Sequence, residues 1–514
     1  GGGGGGGGST SSSANQEGCR GLIATGHDAL IVRWVNQVHE ADGYDPLSMP
    51  AASLSLPTMV DSGQCDPRFE GLLEIPVLLL RFRFAVLQTF NALLCRRVLP
   101  YVDLSLHAQA GSLASRIAAL RDLVFFDVKA SFIASALSHT RSVHADLPLV
   151  VLDRRSPRSV LQQMSSQLAL VPPSRLKGHE MAFRVQFTGE GAEGDNGPYR
   201  ECISAACGDL ESGAMGLLLP CPNAAAGGKA PYQHTHIIRH SASSPSDMDA
   251  FALMGRLFGV AMRTRLPLDL SLSPLLWMRL VGHAPQLAHL EMIDAHAHRV
   301  LSDMAGGGGA GLCDESFEGD MQCCFEVVLS DGTVQELEKG GSQRRVSWDS
   351  RLEYAERAMR VRVDEGSAQA AAVGRGLASV VPAGLLCLLG WEELELLVTG
   401  RDDMDVRLLR EHTVYRGVCD SDELIRGFWD VLGGFSAAEK ARFLRFVWGR
   451  SRLPRATHFT ESFKVHATPG CGDNRLPKAD TCFFTLHLPH YSSPSVLRER
   501  LLYAIRHCAD MDLR

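Results

Sequence analysis

The sequence predicts an α+β fold, in which helices and strands occupy different stretches of the chain. From about residue 26 to residue 140, apolar side chains recur at helical spacing. Asp331-Gly332, between two short apolar runs, is typical of a β-hairpin turn. Near the end of the chain, a strand pattern that starts at Cys482 precedes an apolar stripe at helical spacing. These observations predict a helical first part and mixed structure after it.

The composition is that of a globular protein without the basic charge balance of a nucleic-acid-binding protein. The 514 residues are 45% hydrophobic and 21% charged, with a formal net charge of −7. A chain of this length accommodates three or four domains of about 150 residues each. The 14 cysteines include no Cys-x-x-Cys pair, so we expect free thiols in a reducing compartment. The charge balance predicts no nucleic-acid partner. A cytoplasmic location is the default expectation, with the nucleus as the alternative.

The N-terminal stretches carry scaffold features and no chemistry. Residues 1–18 are a low-complexity Gly/Ser linker, and residues 19–154 are predicted to form a helical upstream region. Segment 77–95 is apolar nearly all round, which predicts burial between neighbouring elements. Because Arg81 and Arg83 interrupt it, we expect no membrane span. The apolar stripe assigned to one face of this segment consists of Phe82, Val86, Phe90 and Leu93.

Two sequence patterns resemble a dinucleotide-binding motif and a metal site, but their residues do not suit either ligand. Residues 189–194 match G-x-G-x-x-G, but Glu190, Glu193 and Asp195 would repel an anionic pyrophosphate. A loose group of histidines has no metal-ligand spacing. It consists of His283, His289, His296 and His298. We expect neither a cofactor nor a metal.

The middle of the chain contains a predicted helix and a predicted hinge. The helix runs from Phe251 to Arg263, and Gly255 and Gly259 on it predict close packing against another helix. Residues 383–399 are leucine-rich and helical. The polar stretch 400–403 that follows favours a hinge.

Cys482 is the candidate nucleophile, in the segment LPKADTCFF from Leu476 to Phe484. Alternation predicts a strand in which Cys482 shares one face with apolar residues. That face holds Cys482, Phe484, Leu486 and Leu488, and the opposite face holds Phe483, Thr485 and His487. Because a loop containing Pro477 meets the strand at Cys482, we expect an accessible and positioned sulfur. Ser493 with Pro494 predicts the start of the last helix.

The residues around Cys482 favour acyl transfer over hydrolysis. A thiolate is a strong nucleophile, although a thiol is only weakly ionised at neutral pH. Peptide hydrolysis would need a positioned base and an oxyanion hole, whereas attack on an existing thioester exchanges one thiolate for another. The nearby histidines show no triad pattern; they are His458, His466, His487 and His490. On local residues alone, a buried structural cysteine remains the alternative.

The stretch from Leu476 to Ser493 resembles the catalytic signature of HECT-type ubiquitin ligases, L-P-x-A-x-T-C-F followed by L-x-L-P-x-Y-x-S. Further similarities follow in family order over roughly residues 155–514. They are Gly189-Glu190 with Arg200 and Glu201, Gly255 to Ala261, Glu393 to Leu397, Phe428-Trp429 and Phe446 to Pro454. Segment Pro76 to Leu104 is similar to the region that precedes the domain in HERC-group members.

The resemblance implies a bilobal HECT domain preceded by a helical region. A mostly helical N-lobe would occupy residues 155–401, with a small E2-binding subdomain at about 299–345. An α/β C-lobe would occupy residues 402–514 and carry Cys482. The implied function is that of an E3 ubiquitin-protein ligase. Cys482 would accept ubiquitin from a ubiquitin-conjugating enzyme (E2) as a thioester and pass it to a substrate lysine.

The resemblance also assigns supporting residues, and this chain departs from the family pattern at several positions. Thr481 and Phe483 would shape the nucleophile loop. Many members carry His before the Thr-Cys pair, where this chain has Asp480, which either helps to deprotonate the incoming lysine or raises the thiol pKa. Many members have Phe at the fourth position from the C-terminus, where Met511 stands. The departures motivate an alternative, a non-catalytic E2-binding scaffold, and the absent base pattern disfavours a thiol hydrolase.

Overall fold

The computed structural model of the protein describes most of the chain beyond the predicted Gly/Ser linker, which lies outside the described residues. The described residues are 25–38, 45–51, 69–142, 146–178, 180–190, 196–225, 230–306, 323–400, 404–450, 452–453 and 462–511. They divide into two compact units, one up to Ala136 with Cys387–Leu389, the other Leu137–Leu386 with the residues from Gly390 onward. The predicted domain limits at residues 155 and 402 stay predictions.

Helices dominate both units, and the strands form small sheets. The α-helices are α1 Thr25–Val38, α2 Glu70–Leu73, α3 Val77–Leu93, α4 Leu113–Ala119, α5 Phe126–His139, α6 Val160–Leu168, α7 Asn196–Glu211, α8 Pro245–Thr264, α9 Pro274–Leu280, α10 Ala295–Gly306, α11 Arg351–Asp364, α12 Ser367–Val380, α13 Trp391–Thr399, α14 Val406–Glu411, α15 Glu423–Gly433, α16 Ala437–Trp448 and α17 Pro494–Met511. The strands are β1 Leu149–Leu152, β2 Arg184–Phe187, β3 Leu218–Pro220, β4 His236–Ile238, β5 Glu326–Val328, β6 Val334–Glu336, β7 Thr413–Arg416, β8 Phe463–Cys471, β9 Lys478–Asp480 and β10 Thr485–His490. The α+β prediction is confirmed.

Helix α3 of the first unit buries one face only, so the prediction that it is buried all round is wrong. Its buried residues are Leu80, Phe84, Leu87 and Asn91. Asn91 donates to the carbonyls of Leu87 and Leu123 and accepts from the backbone N–H of Phe125. Asn91 can be buried on this face because its side chain is fully hydrogen-bonded, and these bonds join the helix to the chain around residue 124.

The stripe assigned to the core of α3 instead faces outward. Phe82 is 64% exposed and Leu93 is 56% exposed. The failure has a simple cause: in a helix that is apolar on most sides, the apolar period cannot tell one face from another. By length and composition alone, the stretch Val77–Tyr101 is apolar enough to cross a membrane, a test that core helices of soluble proteins also pass.

Close packing of α8 against α12 confirms the role predicted for Gly255 and Gly259. A Cβ at Gly255 would lie 1.9 Å from the carbonyl oxygen of Val373, and one at Gly376 would lie 1.9 Å from that of Ala252. A Cβ at Gly259 would meet the side chain of Val380 at 2.7 Å. The two helices therefore touch backbone to backbone, which only glycine permits.

Strands β5 and β6 form the predicted hairpin within a small apolar core. The strands are antiparallel, with Val328 opposite Val334. Gly332 has a φ of 82° and Asp331 accepts from the backbone N–H of Thr333, so the turn chemistry read from the sequence is confirmed. The core beneath includes Phe325 and aromatic and aliphatic residues of α10 and α11.

The carboxyl-terminal part contains a four-stranded sheet in the order β7-β8-β10-β9. Strands β7, β8 and β10 are parallel, and β9 runs antiparallel to β10. Helix α17 begins as predicted, since Ser493 accepts from the backbone N–H groups of Val496 and Leu497. The apolar stripe of α17 is buried at Leu497, Leu501, Ala504 and Ile505, and the side chains of Cys508 and Met511 lie outside the described ones.

Candidate active site

The predicted nucleophile lies in the turn of a tight β-hairpin, not on a strand. Asp480 of β9 pairs with Thr485 of β10, and the four residues between them form the turn. Thr481–Phe483 is a single 3-10 turn, and Phe484 closes it by donating its backbone N–H to the carbonyl of Thr481 at 3.4 Å. The prediction that the strand starts at Cys482 is therefore wrong, because the strand begins at Thr485. The predicted burial of Phe484, Leu486 and Leu488 is confirmed.

The backbone of Cys482 lies in the middle of this turn, and its side chain lies outside the described ones. The predicted accessibility of its sulfur therefore stays a prediction. The neighbouring side chains of Thr481 and Phe483 are exposed, Phe483 to 67%. The turn thus presents both residues that flank Cys482 to solvent.

Phe484 fixes the turn to the core. Its φ of 48° and ψ of 52° place it in the left-handed region, which costs a residue with a Cβ about 1–2 kcal/mol. Its ring is fully buried and stacks on Trp448 with centroids 4.2 Å apart and an interplanar angle of 9°. The ring of Phe463 packs against it at 4.9 Å. Burial and stacking of this ring offset the unfavourable backbone conformation.

Hydrogen bonds from β8 and β10 hold the outer side of the turn. The carbonyl of Phe483 accepts from Lys464 Nζ at 3.3 Å and from Thr485 Oγ1 at 3.0 Å. The carbonyl of Phe484 accepts from the backbone N–H of Lys464 at 2.9 Å. These contacts attach the residues just after Cys482 to two neighbouring strands, so the turn has little freedom to change shape.

Asp480, at the base of the turn, makes a contact that the sequence analysis missed. His487 Nε2 donates to Asp480 Oδ2 at 2.8 Å, and both side chains are partly exposed. His487 lies beside His466 of β8 in register, and their rings meet edge to face at 5.2 Å. Burial lowers the pKa of His466, and the neighbouring His487 lowers it further.

Three buried thiols elsewhere in the described residues are unsuited to nucleophilic chemistry. Burial raises the pKa of Cys202 to about 12 and of Cys387 to about 11, and it also raises the pKa of Cys207. Cys419 is exposed, with its Sγ 3.1 Å from Asp422 Oδ1, in the segment between β7 and α15. Within the described ranges, no group of three His, Cys, Asp or Glu side chains is placed to hold a metal ion.

The carboxyl-terminal part touches the preceding helical part close to the predicted hinge. Arg445 of α16 forms an ion pair with Asp269, and Arg452 donates to Ser271 Oγ at 2.7 Å. Gly400 has a φ of 73°, and a Cβ on it would meet the carbonyl oxygen of Leu453 at 3.0 Å. The rest of the predicted hinge, 401–403, lies outside the described residues. The turn 481–483 lies near α7.

Comparison with known proteins gives consistent matches. The chain is 32% identical to the human E3 ubiquitin-protein ligase HERC2 over 489 residues, which is 90% of this chain and 10% of that protein. It is 28% identical to the human probable E3 ubiquitin-protein ligase HECTD4 over 538 residues, 94% of this chain and 13% of that protein. It is 30% identical to the E3 ubiquitin-protein ligase RSP5 of Chaetomium thermophilum over 277 residues, 52% of this chain and 33% of that protein.

The chain thus spans about a tenth of the length of the first two relatives. Residues 216–514 match the family described as HECT-domain (ubiquitin-transferase). That stretch contains the hairpin of Cys482 and exceeds half of the 514 residues. The chain belongs to the HECT-domain family, which confirms the resemblance read from its sequence.

Proposed function

We propose that this chain acts as an E3 ubiquitin-protein ligase and that Cys482 carries ubiquitin as a thioester between an E2 and a substrate lysine. The observation that carries the proposal is the position of Cys482 in a turn anchored by the buried ring of Phe484 and the held carbonyl of Phe483. Family members work with ubiquitin and an E2. A rigid turn with exposed flanking side chains supports the approach of a second protein carrying an acyl group.

The first step is a transthiolation. The Cys482 thiolate attacks the carbonyl carbon of the E2–ubiquitin thioester, forming a new C–S bond. The old C–S bond breaks, and the E2 cysteine leaves with its electron pair as a thiolate. Because attacking and leaving groups are both thiolates, the exchange needs no strong base and keeps the acyl group activated.

The second step is aminolysis by a lysine. A lysine ammonium first gives one proton to a carboxylate, for which we propose Asp480. The neutral amine then attacks the thioester carbon, the N–C bond forms and the C–S bond to Cys482 breaks. The second amine proton passes to the departing sulfur, which restores the thiol. Asp480 suits the first proton because its side chain is exposed and lies two residues from Cys482.

Flanking side chains have supporting roles in this proposal. Phe483 offers an exposed ring directly after Cys482, and we assign it to apolar contact with the incoming protein. Thr481 closes the turn through its carbonyl. For the E2, the hairpin of the predicted subdomain presents Val328 at 56% exposure opposite Val334 at 60%. This exposed apolar pair supports E2 docking there.

A thioester assay tests the proposal. We expect incubation with activating enzyme, an E2 from a panel, ATP and ubiquitin to give an adduct that a reducing agent removes. The adduct should vanish in Cys482→Ala, and Cys482→Ser should give an ester that resists the reducing agent. Cys419→Ala is the matched control, since it removes an exposed thiol elsewhere.

An adduct that persists in Cys482→Ala would refute the assignment of the nucleophile. E2 binding without any adduct across the panel would instead support the non-catalytic scaffold. The expected result requires both a reducible adduct and its loss on substitution of one cysteine.

A further inference from the structure

His487 is the candidate for a further functional residue, and the sheet geometry explains why. Leu486 and Leu488 of β10 are fully buried, so His487 between them lies on the opposite, outer face of the sheet. In the ladder, His487 pairs with His466 on one side and with Lys478 on the other. Asp480, two residues from Lys478 on β9, shares that face, which brings its carboxylate to the imidazole.

The two oxygens of Asp480 have different surroundings. Oδ2 accepts from His487 Nε2 at 2.8 Å. Oδ1 has no hydrogen-bond partner among the residues that the structure describes, and the side chain is 56% exposed. One oxygen is therefore held while the other faces solvent beside the nucleophile turn. This is the arrangement of a base whose orientation is set by a third group.

The other basic groups near this face are directed elsewhere, so His487 is the group that orients the carboxylate of Asp480. Lys464 directs its Nζ to the carbonyl of Phe483, and Arg416 lies on β7, two strands away from His487. The ring of His466 contacts the ring of His487. Its own Nε2 has no hydrogen-bond partner within the described ranges. Of these groups, His487 is the one that hydrogen-bonds to Asp480.

We propose that His487 is a positioning residue for lysine transfer, which holds the Asp480 carboxylate so that its free oxygen receives the first proton of the incoming lysine ammonium. The inference rests on the proposed function of Cys482. His487 exchanges no proton with the substrate and forms no bond to it. The proton balance is that of the aminolysis step: one proton goes to Asp480 and one to the sulfur of Cys482. Transthiolation uses no amine, so His487 has no part in the first step.

The experiment measures the two steps separately on the full chain. Adduct formation is followed in a single turnover from an E2–ubiquitin thioester. Discharge of the isolated adduct is then followed after adding free lysine. We expect His487→Ala to leave the rate of adduct formation unchanged to within about twofold and to lower the rate of discharge by about 10- to 100-fold, the scale of one hydrogen bond to a charged group.

Companion variants separate positioning from loss of structure. His487→Gln keeps an N–H donor within reach of Asp480 and should restore part of the discharge rate. In the Asp480→Asn background, adding His487→Ala should lower the discharge rate no further, because His487 acts only through the carboxylate that Asp480→Asn has already removed. His490→Gln, an exposed position on the same strand, is the control.

Each outcome either supports or overturns the positioning role of His487. A His487→Ala variant that discharges at the wild-type rate would overturn the inference. So would an equal loss in both steps, because His487 would then serve the fold of the hairpin. The absence of any adduct in the wild-type chain would overturn the proposed function itself, and with it this inference.

Discussion

Two β-hairpins of this protein reach similar turns by opposite means. In the β5–β6 hairpin, the left-handed position is Gly332, and Asp331 holds the turn by local hydrogen bonds to Thr333. In the β9–β10 hairpin, the left-handed position is Phe484, and a buried aromatic stack holds it. The conformation of the first turn is set by its own Asp and Gly, and Asp331 also accepts from the backbone N–H of Ser241. The left-handed residue of the second turn depends on side chains distant in the sequence.

The difference separates a scaffold element from a functional one. A glycine turn costs little, because glycine adopts positive φ without strain. A turn held by the core can present Thr481 and Phe483 to solvent while its other end is locked at Phe484. Rigid presentation of a nucleophile needs the second arrangement, because a turn that relaxes loses the geometry of attack.

The largest effect is expected from Trp448→Ala, which removes the partner of Phe484. Loss of a fully buried indole should lower the free energy of unfolding by about 3–5 kcal/mol. Because Phe484 then loses its stacking partner, the rate of adduct formation at Cys482 should fall as well. Denaturant unfolding and single-turnover adduct formation measure the two quantities.

The milder variant Trp448→Phe keeps an aromatic partner and serves as the comparison. We expect it to retain most of the adduct formation that Trp448→Ala loses. Equal rates of adduct formation in Trp448→Ala and the wild-type chain would show that the stack does not hold the turn.

A smaller effect is expected from Gly332→Ala in the other hairpin. Nothing lies within 4 Å of the added Cβ, so the cost is that of the backbone conformation at φ 82°, about 1 kcal/mol. We expect the rate of adduct formation at Cys482 to stay unchanged when the E2 is saturating, because any weaker docking on this hairpin is then compensated by the E2 concentration. A loss of stability as large as that of Trp448→Ala would contradict the contrast between the hairpins.

The smallest effect concerns the acid dependence of the glycine turn. Partial burial acts to raise the pKa of Asp331, but hydrogen bonds from Thr333 and Ser241 lower it from 3.8 to about 2. A lowered folded-state pKa contributes stability that is present above the ordinary value and is lost as the pH falls toward about 2. Amide hydrogen exchange at Thr333 and Ser241 should therefore accelerate, relative to intrinsic rates, across that window.

Asp331→Asn is the control for this acid dependence. The variant lacks the titrating carboxyl, so exchange at Thr333 should keep a constant ratio to its intrinsic rate across the same window. The same acid dependence in both proteins would assign the effect to another group.

The sequence predicted those features that depend on neighbouring residues. Asp331-Gly332 and Ser493-Pro494 carry their turn and capping chemistry locally, so both were predicted correctly. The close helix contact at Gly255 was also readable, because glycine weakens a helix unless a neighbouring backbone needs the space that a side chain would fill. The family could be read from the ordered motifs around Cys482 and is confirmed.

The features that failed depend on contacts between distant residues. The turn at Cys482 contains no Gly, Pro or Asn, and its apolar residues therefore matched the pattern of a strand. The stack of Phe484 on Trp448 stabilises the turn against that local preference. The contact of Asp480 with His487 was missed for the same reason, since it requires the turn between them. The exposed face of α3 was misassigned because its sequence is apolar on most sides.

The site of ubiquitin attachment tests the central claim most directly. The Cys482→Ser variant is charged with ubiquitin, digested at acidic pH and analysed by mass spectrometry for the peptide that carries the ubiquitin C-terminus. The account predicts an ester-linked remnant on the peptide containing position 482, and none in Cys482→Ala. A remnant on the Cys419 peptide or on any other residue, with position 482 unmodified, would contradict it.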